Sequence, residues 1–421
     1  VRNDLDPRFP WGKQKVKRGG MWYTPVSGIW QTVWLEPVPE RYIRRILLKT
    51  RGNRAFLTVC GVTEGTVLFD GREIPLAGGT AELRVEEPVY WTPETPHLYW
   101  FTIISGEDRV ESYFALRTLS VEPDAKGTPR LCLNGRPFFF HGLLDQGYWS
   151  DGLYTPAAPE LFAEDILAMK ALGFNTLRKH IKIEPERFYY DCDRLGMVVF
   201  QDMVNSGTYD FWRDTALPTL GFLKRNDKKL HTDPETRRNF LSAMERTVEL
   251  LGNHPSICYW TIFNEGWGQF DADAAYDRLK ALDDTRFIDA ASGWFVRKKS
   301  DVESLHIYFK PLRLGRDRSR PQVISEYGGY VWKLPAHSFH REKTYGYRIF
   351  SDGESFARAL TRLFERLIPL AEEGLCAAIY TQLSDVEDET NGLTTFDRRE
   401  KKIRPERLRP LADRIQRALQ T

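Results

Sequence analysis

Ile257-Cys258-Tyr259-Trp260-Thr261-Ile262-Phe263-Asn264, with Glu265 directly after it, is a mostly apolar run ended by an amide and a carboxylate. It reads as a strand. Seven more runs after Pro123 read the same way: Phe138–His141, Phe174–Arg178, Met197–Asp202, Arg286–Ala290, Val302–Ile307, Gln322–Glu326 and Leu375–Gln382. Amphipathic helices alternate with them. Phe162, Ile166, Met169 and Leu172 form one stripe, and Gly173 stands where a C-terminal cap belongs. Phe240, Met244, Val248 and Leu251 follow Asp233-Pro234, a capping residue and a first-turn proline. Phe356, Leu360, Leu363, Leu367 and Leu370 lie between a Ser351-x-x-Glu354 capping box and Gly374. Eight strands alternating with helices predict a (β/α)8 TIM barrel, whose strand ends all open on one face.

Working outward, the loops Val204–Thr232 and Lys310–Arg320 follow strand ends and are expected over the mouth of that barrel. Upstream, Ala55–Cys60, Thr66–Phe69, Ala81–Val85, His97–Ile104 and Arg109–Val121 are short alternating runs, the last two joined through Ser105-Gly106-Glu107-Asp108. A segment of this length predicts an immunoglobulin-like β-sandwich over 41–122, without the Cys…Trp…Cys pattern of antibody domains. The chain is therefore read as multidomain, all-β followed by α/β, with the barrel over 123–421.

Composition narrows the function. Sixty basic against fifty-eight acidic residues, interspersed, leave +2 and no footprint for nucleic acid. No apolar run reaches membrane-spanning length. Lys13, Lys15, Lys17 and Arg18 are read as a loop rather than a nucleic-acid arm. Five scattered cysteines without a CxxC pair argue against a disulfide framework or a zinc site, and a cytoplasmic, reducing location is expected. His141-Gly142-Leu143 offers one histidine where a metal-dependent barrel hydrolase shows paired ones, so no metal or cofactor is expected. Aromatic content of 13%, with twelve tryptophans, leaves room for sugar-stacking platforms, although most rings are expected in the core.

Two glutamates, Glu265 and Glu326, end the fourth and seventh strands. Burying a carboxylate costs several kcal/mol unless it is paired or its pKa shifts. Strand ends converge at a barrel mouth, so the two are expected to meet there. Glycoside cleavage uses such a pair, one to protonate the leaving oxygen and one to attack or to activate water, and about 5–5.5 Å between them selects the covalent route. The alternative is that each is an ordinary strand-end residue paired with an arginine.

Five ordered stretches weaken that alternative. Asn253-His254-Pro255-Ser256 through Asn264-Glu265-Gly266-Trp267, and Ser325-Glu326-Tyr327-Gly328, carry the two glutamates. Ser27-Gly28-Ile29-Trp30-Gln31-Thr32-Val33-Trp34-Leu35, Trp91-Thr92-Pro93-Glu94-Thr95-Pro96-His97-Leu98-Tyr99 and Leu133-Asn134-Gly135-Arg136-Pro137-Phe138 precede them. Together they resemble glycoside hydrolase family 2, which contains β-galactosidases, β-glucuronidases and β-mannosidases. The resemblance implies that residues 1–40 are the remnant of a jelly-roll sugar-binding domain, shorter than a whole one. It implies Glu265 as acid/base and Glu326 as nucleophile, Asn264 on the sugar 2-hydroxyl, Arg178 holding the nucleophile charged and Tyr308 donating to it.

His180 and His306 near strand ends are expected to bind sugar hydroxyls, and Asp145, Asp202, Trp267 and Trp294 to line the pocket. Gln382 stands where many relatives present tryptophan. The expected partner is a carbohydrate, with a terminal β-galactoside favoured over a glucuronide or mannoside. Homo-oligomerisation stays open. A noncatalytic carbohydrate-binding protein is the reading from outside enzymology, and binding alone does not call for both glutamates.

Overall fold

A computed structural model describes residues 3–222 and 226–419, so part of the expected 204–232 loop, Leu223, Lys224 and Arg225, lies outside the described residues. Seven antiparallel strands come first: β1 Arg45–Arg51, β2 Arg54–Cys60, β3 Glu64–Phe69, β4 Arg72–Ala77, β5 Thr80–Arg84, β6 Tyr99–Ser105 and β7 Asp108–Phe114. Their order is β1-β2-β5-β4-β3-β6-β7, and β4 meets β5 through the single pair Ala77↔Thr80. That weak joint lets the two halves face one another. Leu57 and Leu83 from one half and Val67, Phe69, Phe101 and Ile103 from the other share one core. Alternation explains it, since β2 buries Ala55, Leu57 and Val59 and exposes the residues between them.

Two of these strands escaped the sequence reading. β1 carries charged residues on its outer face and half-buried Ile46 and Leu48 on its inner one, so its apolar signal is thin. β4 contains Pro75, tolerable because that strand is fully paired on one side only. The run Arg109–Val121 is not one strand either. It breaks after Phe114, and Leu119–Pro123 (β8) joins Pro129–Leu133 (β9) and Arg136–Pro137 (β10) in a separate three-stranded sheet.

Arg117, in the break, ties the sandwich to the base of the barrel. Its buried guanidinium donates to Pro255 O at 2.7 Å, Ile257 O at 2.8 Å and Thr285 O at 3.4 Å. Asn253 adds a second tie, accepting from Leu48 N and donating to Ile46 O at the edge of β1. Arg117→Ala leaves buried carbonyls without donors and is expected to cost roughly 3 kcal/mol, read as a lower urea midpoint at unchanged slope.

The barrel strands are β11 Phe140–Asp145, β12 Thr176–Lys179, β13 Val198–Asp202, β14 Ile257–Asn264, β15 Phe287–Ser292, β16 Glu303–Ile307, β17 Gln322–Gly328 and, after the short pair β18 Tyr330–Val331 and β19 Arg348–Ile349, β20 Leu375–Thr381. They form one parallel eight-stranded sheet in the order β15-β14-β13-β12-β11-β20-β17-β16. The barrel is nearly closed. Across the seam between β15 and β16, Asp301 N donates to Ile288 O at 2.9 Å and Ile288 N to Asp301 Oδ2 at 2.9 Å. Strands covered on both faces need no alternation, which is why β14 is buried along its whole length.

The first predicted strand, Phe138–His141, is displaced to Phe140–Asp145, because Arg136-Pro137 pairs with β9 instead. Glu326 sits inside β17 rather than at its end. Leu305 pairs with Ile324 and His306 with Glu326, so Ser325 is an extra residue, and the ladder to β20 resumes only at Tyr327. Such a bulge re-aims the side chains around it.

The helices hold to their stripes. Glu160–Ala171 buries Phe162, Ile166 and Met169, and Gly173 follows at φ +97°. Pro234–Leu251 starts at Asp233, which accepts from Thr236 N at 2.8 Å. The single helix expected over 356–370 is two, Gly353–Glu365 and Leu367–Glu372, since Pro369 has no N–H to continue the ladder. Its cap is Asp352, bonded to Ser355 N, and not Ser351. No helix among the described residues is long and apolar enough to cross a membrane.

Residues 3–40 form no ladder, only the isolated bridges Gln14↔Tyr23 and Gly19↔Trp22. Ser27–Leu35, read as the end of a jelly roll, forms no strand among the described residues, and Ile29, Val33, Trp34 and Leu35 are exposed. The part before it lies on the barrel mouth: Trp11 N donates to Asn205 O, Trp11 Nε1 to Gly207 O and Thr24 N to Glu387 Oε1.

Candidate active site

The lower lumen is apolar, with Phe140, Phe200, Tyr259 and Phe287 in one cluster and Phe200 stacked on Tyr259 at 4.1 Å. Above it a polar layer begins. Arg178, near the end of β12, is buried and spends its donors on four groups: Asp202 Oδ1 at 2.9 Å, Ser325 O at 2.9 Å, Glu326 Oε1 at 3.1 Å and Asn264 Oδ1 at 2.9 Å. Burial disfavours its charge, but Asp202 and Glu326 outweigh that and raise its pKa. One guanidinium thus fixes residues from β13, β14 and β17 in a common frame.

Glu326 faces a ring of donors. Tyr308 Oη donates to Oε2, Arg178 to Oε1, and His306 Nε2 lies 3.6 Å from Oε1. Burial pushes its pKa up, yet His306, Arg178, His180 and the Tyr308 hydroxyl more than cancel this and hold it below the usual carboxylate value. The carboxylate is kept ionised, as a nucleophile requires. Burial and Glu326 together hold the Tyr308 hydroxyl protonated.

Glu265 follows β14 in the left-handed region, at φ +51°, and its N–H is taken by Ser292 O. That turn swings its carboxylate to His306, whose Nδ1 is 2.9 Å from Oε1. His306 therefore stands between the two glutamates, and one oxygen from each, with a ring nitrogen, lie within 4.8 Å of one another.

The remaining expected residues divide. Asp202 belongs to the network, accepting from Arg178 and lying 2.7 Å from His180 Nδ1. Burial lowers the His180 pKa, against the pull of Asp202. Both nitrogens of His306 are engaged by protein groups, so its expected sugar contact is replaced by contacts to Glu265 and Ser292. Asp145 departs from expectation too: it pairs with Lys179 Nζ at 2.6 Å and accepts from Gly147 N. Strand alternation accounts for this, because Asp145 is in register with Lys179 and so points away from the lumen that Arg178 faces.

Trp267 is buried and stacks on Trp22 at 5.2 Å. Trp294 is half-buried, its ring 6.5 Å from that of His306. Gln382 donates to Asn391 Oδ1 at 2.8 Å. Asn264 Nδ2, Trp267 Nε1 and Gln382 Oε1 are buried without a protein partner among the described residues. Such atoms mark places where a ligand or water completes the bonding.

Several neighbours were not legible. Tyr347 stacks on Tyr308 at 3.8 Å, Tyr209 packs edge-on against Trp267, and Trp22 reaches the same ring from the N-terminal segment. Their positions come from loops whose course no periodicity reveals. Ser292, Ser304, Ser325 and Asp289 were missed for another reason: they read as ordinary small or polar residues of interior strands. As a donor set, Glu265, His306 and Glu326 have the composition of a metal site. Arg178 already supplies the cation beside Glu326 and the imidazole is bonded at both nitrogens, so we describe the group as an acid–base cluster.

Fold and site together define a (β/α)8 barrel carrying a coupled carboxylate pair in its polar upper layer. Residues 126–332 match the family model described as Glycosyl hydrolases family 2, TIM barrel domain, and the chain belongs to glycoside hydrolase family 2. It is 33% identical over 228 residues to a β-galactosidase of Aeromonas hydrophila subsp. hydrophila, covering 52% of this chain and 20% of that one. A β-galactosidase of Klebsiella pneumoniae (strain 342) is 26% identical over 338 residues, 71% of this chain and 30% of the other. The chain thus spans less than a third of the length of these curated relatives. Among solved structures, a β-D-glucuronidase of Dictyoglomus thermophilum superposes with TM-score 0.68 at 17% identity, covering 90% of this chain and 69% of its own. A β-galacturonidase of Eisenbergiella tayi gives 0.61 at 18%, covering 89% and 72%.

Proposed function

We propose that the chain is the catalytic part of a retaining exo-β-glycosidase that cleaves terminal β-linked sugars by double displacement, with β-galactosides the favoured substrate. The observation that carries this reading is the closeness of the two glutamates, whose nearest ligand oxygens lie within 4.8 Å. Inverting enzymes leave about 6.5–9.5 Å for a water between the pair, and retaining ones about 5–5.5 Å. Glu326, ionised by its donors, attacks the anomeric carbon while Glu265 gives its proton to the departing oxygen. Glu265 then takes a proton from the water that hydrolyses the ester. Asn264, its Oδ1 pinned by Arg178, has Nδ2 free for the sugar 2-hydroxyl. The favoured sugar follows the curated relatives. The division proposed is 1–40 as jelly-roll remnant, 41–122 as immunoglobulin-like sandwich, supported by two facing half-sheets around one core, and 123–421 as barrel.

One observation favours a uronide instead. Lys13 is buried at the mouth, its Nζ 5.9 Å from the Trp267 ring and close enough to His180 to help lower that pKa. A sugar C6 carboxylate needs such a cation. Lys179 and Lys182 are committed to Asp145 and Glu184. The test is a panel of aryl β-galactosides, glucuronides, galacturonides and mannosides, with product anomers followed by NMR. Turnover of the galactoside with retention is expected; first-formed α-anomer contradicts the mechanism, and sugar binding without turnover favours the noncatalytic reading. If uronides are preferred, Lys13→Met should lower kcat/KM for them by about 10- to 100-fold, the worth of a charge-assisted hydrogen bond, and leave neutral sugars nearly unaffected.

A further inference from the structure

The orientation of His306 is overdetermined. Its side chain is fully buried, and Gly293, at φ +85°, lies so close that a Cβ there would stand 2.5 Å from the imidazole Cγ. The ring cannot turn, so each nitrogen has a fixed neighbour. Nδ1 faces Glu265 Oε1 at 2.9 Å and Nε2 faces Ser292 Oγ at 3.0 Å. Arg178 Nη1 is 3.5 Å from Nε2, but its two hydrogens go to Ser325 O and Glu326 Oε1 at shorter distances.

Behind Ser292 a line of hydroxyls leads away from the site. Ser292 Oγ donates to Ser325 Oγ at 2.9 Å, Ser325 Oγ lies 2.6 Å from Ser304 Oγ, and Ser304 bonds to the Asp289 carboxylate. Asp289 also accepts from Tyr259 Oη at 3.1 Å and Ala291 N at 3.3 Å. Burial raises the Asp289 pKa, but Tyr259 Oη and Ala291 N already donate to its two oxygens, so Asp289 is assigned as the acceptor that ends the line, and each serine has one hydrogen to give. Ser304 therefore gives its hydrogen to Asp289, Ser325 gives to Ser304, Ser292 gives to Ser325, and the Ser292 lone pair is left for Nε2. The competing acceptor for the Ser325 hydrogen, Leu305 O, is at 3.4 Å.

We infer that Asp289, acting through Ser304, Ser325 and Ser292, fixes the His306 proton on Nε2, so that the Nδ1 lone pair faces Glu265 and keeps a proton on that carboxyl. Asp289 and the serines are positioning residues; none touches substrate. The inference rests on Glu265 being the acid/base proposed above, and it explains how two carboxyls sharing one imidazole hold opposite protonation states. The Nε2–H also leans toward Glu326 Oε1 at 3.6 Å, favouring that carboxylate's charge. In the first step the Glu265 proton moves to the leaving oxygen as that oxygen takes the electron pair of the breaking C–O bond. The attacking water returns a proton in the second. The ionisable groups around the line are Glu265 after β14, Glu326 on β17, Arg178 on β12, Tyr259 on β14 and Glu303 on β16.

The test uses the whole chain labelled with 15N-histidine. Two-bond 1H–15N spectra report the tautomer of His306, assigned by the signal lost in His306→Gln. An Nε2–H tautomer is expected in the unsubstituted protein near neutral pH, turning mixed in Ser325→Ala and, on another strand, Ser304→Ala. An Nδ1–H tautomer in the unsubstituted protein, or a signal unmoved in both variants, overturns the inference, and this holds even if no glycoside is turned over and the functional reading fails. The kinetic arm separates acid assistance from simple structural damage. Ser325→Ala should lose ~10-fold in kcat/KM on phenyl glycosides and less than about twofold on dinitrophenyl glycosides, whose leaving group needs no proton. Equal losses on both substrates would also overturn it.

Discussion

Glu326→Ala should abolish turnover of aryl β-glycosides, with kcat reduced on the order of 10⁴-fold or more, about 5.4 kcal/mol or more in activation free energy. The size follows from what the residue provides. Of the two glutamates, Glu326 is the one that receives both Tyr308 and Arg178. Without the ester the reaction would need a water acting in one step, and the carboxylate that would have activated it on that face is the one removed. The truncated side chain opens a space beside the anomeric carbon. Azide should therefore restore part of the activity with an activated aryl glycoside and give the inverted glycosyl azide, seen by NMR. Loss below tenfold, or rescue with retention, would remove Glu326 from the nucleophile's place.

How far the sequence reached can be judged from individual residues. The β14 limits, Ile257 to Asn264, were legible because the run is apolar on both faces and ends sharply at turn residues. The convergence of Glu265, Glu326, Asn264, Arg178 and Tyr308 was legible through barrel geometry and family resemblance together. Strand ends were less so: β17 runs on to Gly328 because a bulge at Ser325 absorbs one residue, and a bulge leaves no trace in composition. Asp145 shows the limit most plainly. Sequence expected it to line the pocket, and only the register with Lys179 reveals which way it faces. The N-terminal segment contributes Trp22 and Lys13 to the mouth, and nothing in the order of residues joins position 22 to position 267.

Arg178→Met should be damaging in two separable ways. The guanidinium is buried between Asp202 and Glu326, and removing it strands two carboxylates with little solvent to replace it, a loss of roughly 3–5 kcal/mol in unfolding free energy at neutral pH. The pH dependence has a definite sign. Glu326 and Asp202 both have depressed pKa values in the folded chain, so each contributes stability above its unfolded value, and that contribution fades as pH falls through the folded value. In the variant the cation that most lowers Asp202, and that follows His306 in lowering Glu326, is gone while burial remains, so both values rise. The stability deficit should therefore be largest at pH 7 and shrink toward pH 4, where protonated carboxyls no longer require the guanidinium; urea unfolding at both pH values measures it. Activity should fall about 10²- to 10³-fold, as for loss of one preorganised donor at a reacting charge, and the acidic limb of the kcat/KM profile should move to higher pH as Glu326 ionises later. Arg178→Lys keeps a charge but not the fork that reaches Asp202, Ser325, Glu326 and Asn264 together, so it should recover stability better than activity. A deficit independent of pH, or an acidic limb that stays in place, would mean that Arg178 braces the barrel without tuning its nucleophile.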